Sequence, residues 1–311
     1  MRDLHEPVSI LAVIVLYRML PSEAPAFRSL QAAARRCDQN GVRLKILLYD
    51  NTPDPQHSEI FRDNTEYWSA QSNQGIAPAY NFALELAEAE GFDWLLTVDQ
   101  DTTLPEHFLG RVAELAKEKS SESDIAGFVP QVVDHGVFIS PHVLEHGRSI
   151  RLRDHFSGVP DREVSAINSG ALWRVQSLRE IGGFNPLFWL DYLDHWLYHT
   201  MQRSGRRIYV AGDLTVEHEL SLLNKDHVLS PARLANILSA ESAFCDLYED
   251  TASGLSLTIK LLARAASQIV KGKNSDLVRV TLGCFFQRII FRKAARIAKW
   301  ERSMRQRLEP E

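Results

Sequence analysis

Short apolar runs alternate with segments of helical spacing along the first part of the chain. Three runs have the length and composition of strands that are buried on both faces, at residues 8–17, 44–49 and 94–98. Helical spacing appears after each run, at residues 25–37, 77–90 and 105–119. Strands that alternate with helices predict an α/β fold with a mostly parallel central sheet flanked by helices.

Later in the chain the pattern changes. Short strands are predicted at residues 67–72, 125–133, 137–140, 168–173 and 207–210, and helices at residues 174–181 and 191–204. Residues 141–165 are polar and rich in His and Arg, which predicts a loop or an irregular hairpin over the ligand-binding cleft. After residue 230 only helical patterns occur, at residues 233–249, 255–270 and 276–307. We therefore expect an α/β domain over residues 7–225 and a helical, basic appendage over residues 226–311.

Charge is distributed unevenly between these two parts. The net charge is −5, yet residues 255–311 contain 13 Lys and Arg against 4 Asp and Glu. Two interpretations remain open for this basic, apolar region. Its helices either pack on the α/β domain with a basic outer face, or they contact an anionic membrane surface. Nucleic acid is not expected as a partner, because no known binding module accompanies the charge.

The cysteines and the N-terminal apolar run bear on the compartment. Cys37, Cys245 and Cys284 are far apart and lack the spacing of a metal site, which indicates a reducing environment. The apolar run at residues 8–17 is about half of the ~20 residues that a membrane-spanning helix needs, and it lacks the features of a signal peptide. We expect a cytoplasmic protein, with peripheral attachment to the inner face of the plasma membrane as an open alternative.

Polar residues fall where three of the predicted strands end. Tyr17 ends the first strand, Asp50 follows the second, and Asp99 and Asp101 close the strand at residues 94–98. Parallel α/β sheets bind ligands outside the carboxyl ends of their strands. We therefore expect these four side chains to converge on one cleft.

The two aspartates lie in the stretch LLTVDQDTTLP, residues 95–105. Alternate residues of an extended segment face the same side, so both carboxylates can face one hard cation such as Mg²⁺. A plainer alternative is a solvated pair that caps the next helix, with Thr102 or Thr103 as its partner. The same letters match the D-x-D-x-T signature of haloacid-dehalogenase-like phosphatases. That signature belongs on the first strand of its domain, so a phosphatase is the weaker alternative here.

Six segments, taken in order, resemble family 2 glycosyltransferases of the GT-A fold, above all the bacterial rhamnosyltransferase-like members. They are VIVLYR (13–18), LLYDNTPD (47–54), SNQGIAPAYNFAL (72–84), LLTVDQDTTLP (95–105), NSGALWRVQSLREIGGFNPLFWLDYLDHWL (168–197) and GDLTVEHELS (212–221). The resemblance covers about residues 7–225, which would be a GT-A catalytic domain. It implies an inverting transfer of a sugar, with dTDP-L-rhamnose as the expected donor. The implied acceptor is a hydroxyl of a bacterial cell-surface glycan or of a lipid-linked saccharide.

The resemblance also implies which residues bind the donor. The nucleotide sugar would be contacted by Tyr17, Asp50, Asn73, Gly75, Asn81 and Asp99. Mg²⁺ or Mn²⁺ on the donor diphosphate would be held by Asp99, Asp101 and His218.

Three of these residues have plainer alternatives. Asp50 can simply begin a turn with Asn51, and Asn81 can be an ordinary polar residue of its helix. His218 can be a surface histidine between Glu217 and Glu219.

The implied general base is Asp194, with Asp191 as the second candidate. Such a base needs hydrogen-bond reach to the acceptor hydroxyl, whose proton it removes. Both acids can instead stabilise a helix start, where carboxylates meet the positive end of the helix dipole. Family members carry an acid and then an Arg shortly after this position, where this chain has His195, Trp196 and Thr200. This departure keeps a non-catalytic nucleotide-sugar-binding protein open as an alternative.

Overall fold

The computed structural model describes residues 7–37, 41–54, 64–145, 148–153, 155–218 and 229–308. Within these ranges the strands are β1 (Val8–Leu16), β2 (Val42–Asp50), β3 (Thr65–Ser69), β4 (Trp94–Asp99), β5 (Thr102–Thr103), β6 (Ile125–Asp134), β7 (Val137–Ser140), β8 (His142–Glu145), β9 (Arg148–Arg151), β10 (Val164–Ser165), β11 (Ala171–Arg174) and β12 (Arg207–His218). The α-helices are α1 (Pro25–Arg36), α2 (Ile76–Ala89), α3 (Phe108–Glu118), α4 (Val175–Glu180), α5 (Leu193–Arg203), α6 (Pro231–Tyr248), α7 (Thr251–Val270), α8 (Ser275–Ile290) and α9 (Lys293–Leu308).

The central sheet has the strand order β3-β2-β1-β4-β11-β6-β12-β5, with β7 paired to β6. Parallel pairing joins β3 to β2, β2 to β1, β1 to β4, and β6 to β12, which confirms the predicted α/β fold, while β11, β5 and β7 pair antiparallel. The pattern did not predict that β11 would run antiparallel between β4 and β6. Its close approach to β6 requires Gly127, because a Cβ atom there would lie 2.7 Å from the carbonyl oxygen of Leu172.

β1 is the most deeply buried strand, since all nine of its residues are buried. Ile10 and Ile14 on one face join Phe27 and Leu30 of α1 and Phe108 of α3 in a single apolar cluster. Residues between them face the other side of the sheet, and α2 also packs on this strand. Each such side chain contributes about 1.5–3 kcal/mol to folding, which is why a continuous apolar run was a reliable sign of this strand.

The polar region at residues 141–165 forms a second, three-stranded antiparallel sheet with the order β10-β8-β9. Val143 of β8 pairs with Ile150 of β9 and with Val164 of β10. In its described part this region is thus more regular than the predicted loop or irregular hairpin, and its predicted position over the cleft stays a prediction.

The chain divides into two compact units. The first comprises Met1–Asn185 with Leu197–Leu220, and the second comprises Pro186–Trp196 with Ser221–Glu311. A short segment before and at the start of α5 thus belongs with the C-terminal helices. The boundary predicted between residues 225 and 226 lies outside the described residues.

The helical structure predicted at residues 276–307 is present but is divided into two helices, because α8 ends at Ile290 and α9 begins at Lys293. Phe291 leaves the helix in an extended conformation. Past the break, Arg296 donates hydrogen bonds to both carboxylate oxygens of Asp246 on α6, each at 2.7 Å. This charge-assisted, two-pronged contact is a tertiary interaction that no local helical pattern reveals.

Asp246 also pairs with Arg288 of α8 at 3.2 Å, and both side chains are 3% exposed. Arg288 further donates to the hydroxyl of Ser242 at 2.6 Å and to the carbonyl oxygen of Gly254 at 3.2 Å. These hydrogen bonds compensate for burying the guanidinium and tie α6, α7 and α8 together.

Candidate active site

Three neighbouring parallel strands end at one edge of the central sheet. The register pairs Leu16 of β1 with Asp50 of β2, and Val15 of β1 with Asp99 of β4. Asp50 and Asp99 therefore flank the end of β1, directly before Tyr17. The strand order reverses between β1 and β4, and α/β sheets bind ligands at such a reversal. The structure thus brings these strand ends together, as the pattern of the chain predicts.

Asp50 is only 4% exposed, and both of its carboxylate oxygens accept hydrogen bonds. Tyr67 donates its hydroxyl to Oδ2 at 2.7 Å, and the backbone N–H of Thr52 donates to Oδ1 at 2.8 Å. Burial, together with the Asp50 carboxylate, raises the pKa of Tyr67, so this hydroxyl remains a donor. The contact with Thr52 fits the turn alternative. Each carboxylate oxygen still has capacity for a further hydrogen bond.

Gln100, which lies between the two aspartates, extends the pairing of β1 with β4 beyond their last residues. Its Oε1 accepts from the Tyr17 N–H at 2.8 Å, and its Nε2 donates to the Tyr17 carbonyl oxygen at 3.4 Å. On the other side, the N–H of Arg18 donates to the Thr52 hydroxyl at 2.8 Å. The backbone that carries the half-buried Tyr17 ring is therefore fixed by both neighbouring strands.

Asn73 and Gly75 form the turn that precedes α2. The Gly75 N–H donates to Asn73 Oδ1 at 3.1 Å, and Gly75 has a φ of 85°, in the region that favours glycine. The buried Asn51 donates from Nδ2 to the Gly75 carbonyl oxygen at 2.8 Å. This hydrogen bond ties the turn to the end of β2, beside Asp50.

Asn81 makes two hydrogen bonds to the backbone of Phe184. Its Nδ2 donates to the carbonyl oxygen at 2.7 Å, and its Oδ1 accepts from the N–H at 2.8 Å. This arrangement, which we name the Asn81 latch, holds α2 against the turn that follows α4. It favours the structural alternative for Asn81 over the predicted contact with a nucleotide.

Asp99, Asp101 and His218 lie close together because the short strand β5 pairs with the end of β12, with Thr102 opposite His218. His218 Nδ1 lies 2.8 Å from Thr102 Oγ1 and 3.4 Å from Asp101 Oδ1. On the other side of the ring, Nε2 lies 3.9 Å from Asp99 Oδ2. The imidazole is buried, whereas both carboxylates are partly exposed.

Ser169, which precedes β11, connects the two sides of this cluster. Its hydroxyl accepts from the Asp99 N–H at 2.9 Å and lies 2.6 Å from the Thr102 hydroxyl. The Tyr80 hydroxyl of α2 donates to Asp99 Oδ1 at 3.4 Å. Side chains from several elements therefore hold Asp99 and His218 in place.

Asp191 and Asp194 belong to the second unit. Asp191 forms an ion pair with Arg233 of α6, at 2.6 Å between Oδ2 and Nη1. Burial raises the pKa of Asp191, and the Arg233 guanidinium opposes this shift. The ion pair gives Asp191 a structural partner within its own unit. Asp194 lies half-buried in the first turn of α5, a position that also suits the helix-start alternative.

Two solved structures are similar to nearly the whole chain. One is GalNAc-T7 with UDP, GalNAc and Mn²⁺, at a TM-score of 0.56 and 13% identity over 91% of this chain. The other is S. aureus TarS 1–349 with UDP-GlcNAc, at a TM-score of 0.53 and 15% identity over 96% of this chain. The fold is GT-A. The chain covers 89% of the TarS fragment but only 56% of GalNAc-T7.

Evidence for the GT-A fold comes from the backbone rather than from the sequence. No protein-family model and no curated protein matches the chain. At 13–15% identity the likeness establishes the fold, and the chemistry of this chain has to be argued from its own residues.

The carboxylate pair at the end of β4 in this GT-A sheet has the donor chemistry of a Mg²⁺ or Mn²⁺ site. Such ions bind oxygen, and one or two carboxylates suffice when phosphate oxygens supply further ligands. Asp101 lies on the Nδ1 side of the His218 ring and Asp99 on the Nε2 side.

The described part of the chain contains no group of three His, Cys, Asp or Glu arranged to hold a metal ion. The predicted set of three with His218 is therefore not arranged as a ligand group, and Asp99 and Asp101 are the residues of this set whose oxygen atoms suit a hard cation.

The sequence pattern missed several residues of this GT-A edge, namely Asn51, Tyr67, Tyr80, Gln100, Thr102 and Ser169. All of these residues except Tyr67 lie inside segments that carry the family resemblance. Their roles depend on partners that are distant in the chain, since Ser169 is 70 residues from Asp99. No local signal identifies such a partner.

Proposed function

We propose that the protein is a glycosyltransferase that moves a sugar from a nucleotide sugar to a hydroxyl group. The observation that carries this proposal is the set of carboxylates at the point where the strand order of a GT-A sheet reverses. There, Asp50 and Asp99 end the two parallel strands that flank β1, and Asp101 follows Asp99 after one residue. Both similar structures contain nucleotides or nucleotide sugars, and one contains Mn²⁺.

Each part of this edge has a proposed task. The remaining lone pairs of Asp50 accept hydrogen bonds from the base or the ribose of the donor, beside the Tyr17 ring. The turn at Asn73 and Gly75 lets the backbone approach the donor closely.

Asp99 and Asp101 would hold Mg²⁺ or Mn²⁺ on the donor diphosphate. The buried His218, hydrogen-bonded to Thr102, would lie between the two carboxylates. The bound cation would offset the negative charge that develops on the leaving nucleotide.

The proposed general base is Asp194, on the strength of the family resemblance. Its carboxylate accepts the acceptor hydroxyl's proton as the hydroxyl oxygen attacks the anomeric carbon. A single displacement of this kind inverts the anomeric configuration. Asp191 is the second candidate, but its ion pair with Arg233 favours a role in holding the segment before α5.

The finer specificity rests on the resemblance to rhamnosyltransferase-like enzymes. We propose dTDP-L-rhamnose as the donor, and a bacterial cell-surface glycan or a lipid-linked saccharide as the acceptor. A cytoplasmic location fits the three free cysteines.

Donor and metal binding can be tested with a panel of nucleotide sugars, each with and without Mn²⁺, by thermal shift and calorimetry. Wild-type protein is expected to bind dTDP-L-rhamnose most tightly and to bind it more tightly with Mn²⁺. Asp101→Asn should weaken Mn²⁺-dependent binding at least tenfold. The matched control is Glu217→Gln, because Glu217 precedes His218 on β12 and is exposed on the other side of the strand. It should bind within about twofold of wild type.

Other outcomes would select another function. Donor binding without transfer to any acceptor would indicate a non-catalytic binding protein. Hydrolysis of simple phosphoesters that disappears in Asp99→Asn would indicate the phosphatase alternative. Equal affinity of Asp101→Asn and wild type for Mn²⁺ and donor would remove the proposed cation site.

A further inference from the structure

Helices α7 and α8 of the second unit expose large apolar side chains. Along α7, Leu255, Ile259, Leu262 and Ile269 recur at helical spacing, and each is about half exposed or more. The last residue of this helix, Val270, is 87% exposed.

The end of α8 continues the pattern with Phe286, Ile289 and Ile290, followed by Phe291. We name this set of exposed residues the α7/α8 apolar surface.

The α7/α8 apolar surface is additional to the face that packs inside the unit. Leu257 and Leu261 of α7 are buried in a cluster with Leu234 and Leu238 of α6. The same helix therefore has one apolar face in the core and a second that faces solvent. Most of the exposed large hydrophobic side chains in the described residues fall within residues 255–291, so the feature is local. A concentration of exposed large apolar side chains on two packed helices is typical of an interaction site.

Basic residues surround this surface. Residues 255–293 contain eight Lys and Arg and a single acid, Asp276. Only Arg288 among these cations is buried, where it pairs with Asp246. The others are exposed and include Lys260, Lys271 and Lys273.

The excess of positive charge decides between possible occupants. A second copy of the chain would bring the same cations together, and like charges across an interface are unfavourable. An anionic bilayer instead satisfies both features, since its acyl region takes Phe, Leu and Ile while its headgroups attract Lys and Arg. No helix in the described ranges is long and apolar enough to cross a bilayer. Contact would therefore be made along the bilayer surface.

We propose that the α7/α8 apolar surface binds the surface of an anionic lipid bilayer. The apolar side chains enter the boundary between headgroups and acyl chains, and the flanking cations contact the headgroups. This proposal is independent of the proposed glycosyl transfer, because it uses no residue of the sheet edge.

Vesicle flotation with the full chain tests the proposal. Vesicles of phosphatidylcholine alone are compared with vesicles of phosphatidylcholine and phosphatidylglycerol in equal parts. Wild-type protein should float with the mixed vesicles, bind phosphatidylcholine at least tenfold more weakly, and detach as salt is raised. Lys271→Glu/Lys273→Glu should weaken binding to the mixed vesicles, and the affinity should fall roughly fivefold for each lysine replaced.

Ile289→Ser/Ile290→Ser removes two exposed apolar side chains and should weaken binding to the mixed vesicles at least tenfold. The matched control is Val137→Ser on β7, where an equally exposed apolar residue lies in the other unit. It should bind like wild type, and thermal melting should show that every variant is folded.

Two results would overturn the proposal. One is equal flotation of wild type and Ile289→Ser/Ile290→Ser on the mixed vesicles. The other is a failure of the wild-type protein to float with the mixed vesicles. In that case, sedimentation shows whether the wild-type protein is a dimer and whether Ile289→Ser/Ile290→Ser is a monomer. The dimer would assign the surface to a second copy of the chain.

Discussion

At the scale of single residues, side-chain amides form hydrogen bonds to backbone groups that have no neighbouring strand to pair with. Gln100 gives Tyr17 both an acceptor and a donor, as a neighbouring strand residue would. Asn81 does the same for Phe184. A primary amide can make such a double contact because it carries a carbonyl oxygen and an NH₂ group side by side. A carboxylate only accepts, so Glu and Asp are poor substitutes at both positions.

We predict that Gln100→Glu lowers the free energy of unfolding by about 1–3 kcal/mol, because a carboxylate oxygen would face the Tyr17 carbonyl oxygen. The variant also adds a third negative charge beside Asp99 and Asp101. Urea unfolding at neutral pH measures the effect. Gln71→Glu is the control, since Gln71 is exposed in the turn after β3. If both variants lose the same stability, the side chain of Gln100 does not hold Tyr17.

At the scale of elements, short connections determine which residues meet. The two-residue strand β5 pairs with the end of β12 and brings His218 to the aspartates. The turn after α4 contains Gly182 and Gly183, both with positive φ, and receives the Asn81 latch through Phe184. A Cβ atom on Gly183 would lie 2.6 Å from Asn81 Oδ1, whereas one on Gly182 would meet no atom within 4 Å.

Gly182 and Gly183 allow the latch to be tested with a matched pair of variants. Gly182→Ala should cost about 1–2 kcal/mol for the positive φ alone. Gly183→Ala should cost a further amount of about 1–3 kcal/mol, because the added methyl group displaces the Asn81 amide from Phe184. Chemical unfolding measures both.

The extra cost should disappear when Gly183→Ala is combined with Asn81→Ala, since the contact has then already been removed. If Asn81→Ala keeps the stability of the wild type but binds the donor more weakly, Asn81 contacts the nucleotide, as the sequence predicts, and does not act as a latch.

At the scale of the whole molecule, two neighbouring acids have different surroundings. Asp191 is held by Arg233 of α6, and Asp194 lies in the first turn of α5. The Arg233 guanidinium occupies the Asp191 carboxylate at 2.6 Å, although burial raises the pKa of Asp191. The division of labour proposed for the two residues follows from this difference.

Asp194→Asn should lower kcat at least about 100-fold while donor affinity stays within a few fold of wild type. Asp191→Asn should instead lower the free energy of unfolding by about 1–3 kcal/mol, because Arg233 loses its partner. Steady-state transfer assays, donor calorimetry and urea unfolding of both variants separate the two effects. If Asp194→Asn transfers sugar at the wild-type rate, Asp194 is not the general base.

Much of the fold was predictable because the hydrophobic pattern of each early strand is visible in its own short segment of sequence. β1, β4 and the second half of β2 are runs that are almost entirely buried on both faces, and the chemistry of parallel sheets then places Tyr17, Asp50 and Asp99 at one edge. The antiparallel course of β11 was not predictable, since it depends on pairing with β4 and β6, which lie far from it in the chain. The break between α8 and α9 was missed for a similar reason, because Arg296 binds Asp246 of α6.

The sequence by itself determined the α/β class, the succession of the early strands along the chain and the positions of the acids at their ends. These features follow from local hydrophobic periodicity, which is set by which face of each element is buried. The tertiary structure alone decided that Gln100 supports Tyr17, that Asn81 latches α2, and that His218 lies between Asp99 and Asp101. It also decided which apolar residues of α7 and α8 remain exposed. Each of these features depends on contacts between residues that are far apart in the chain. Whether a side chain is buried is known only once the positions of all the residues around it are known.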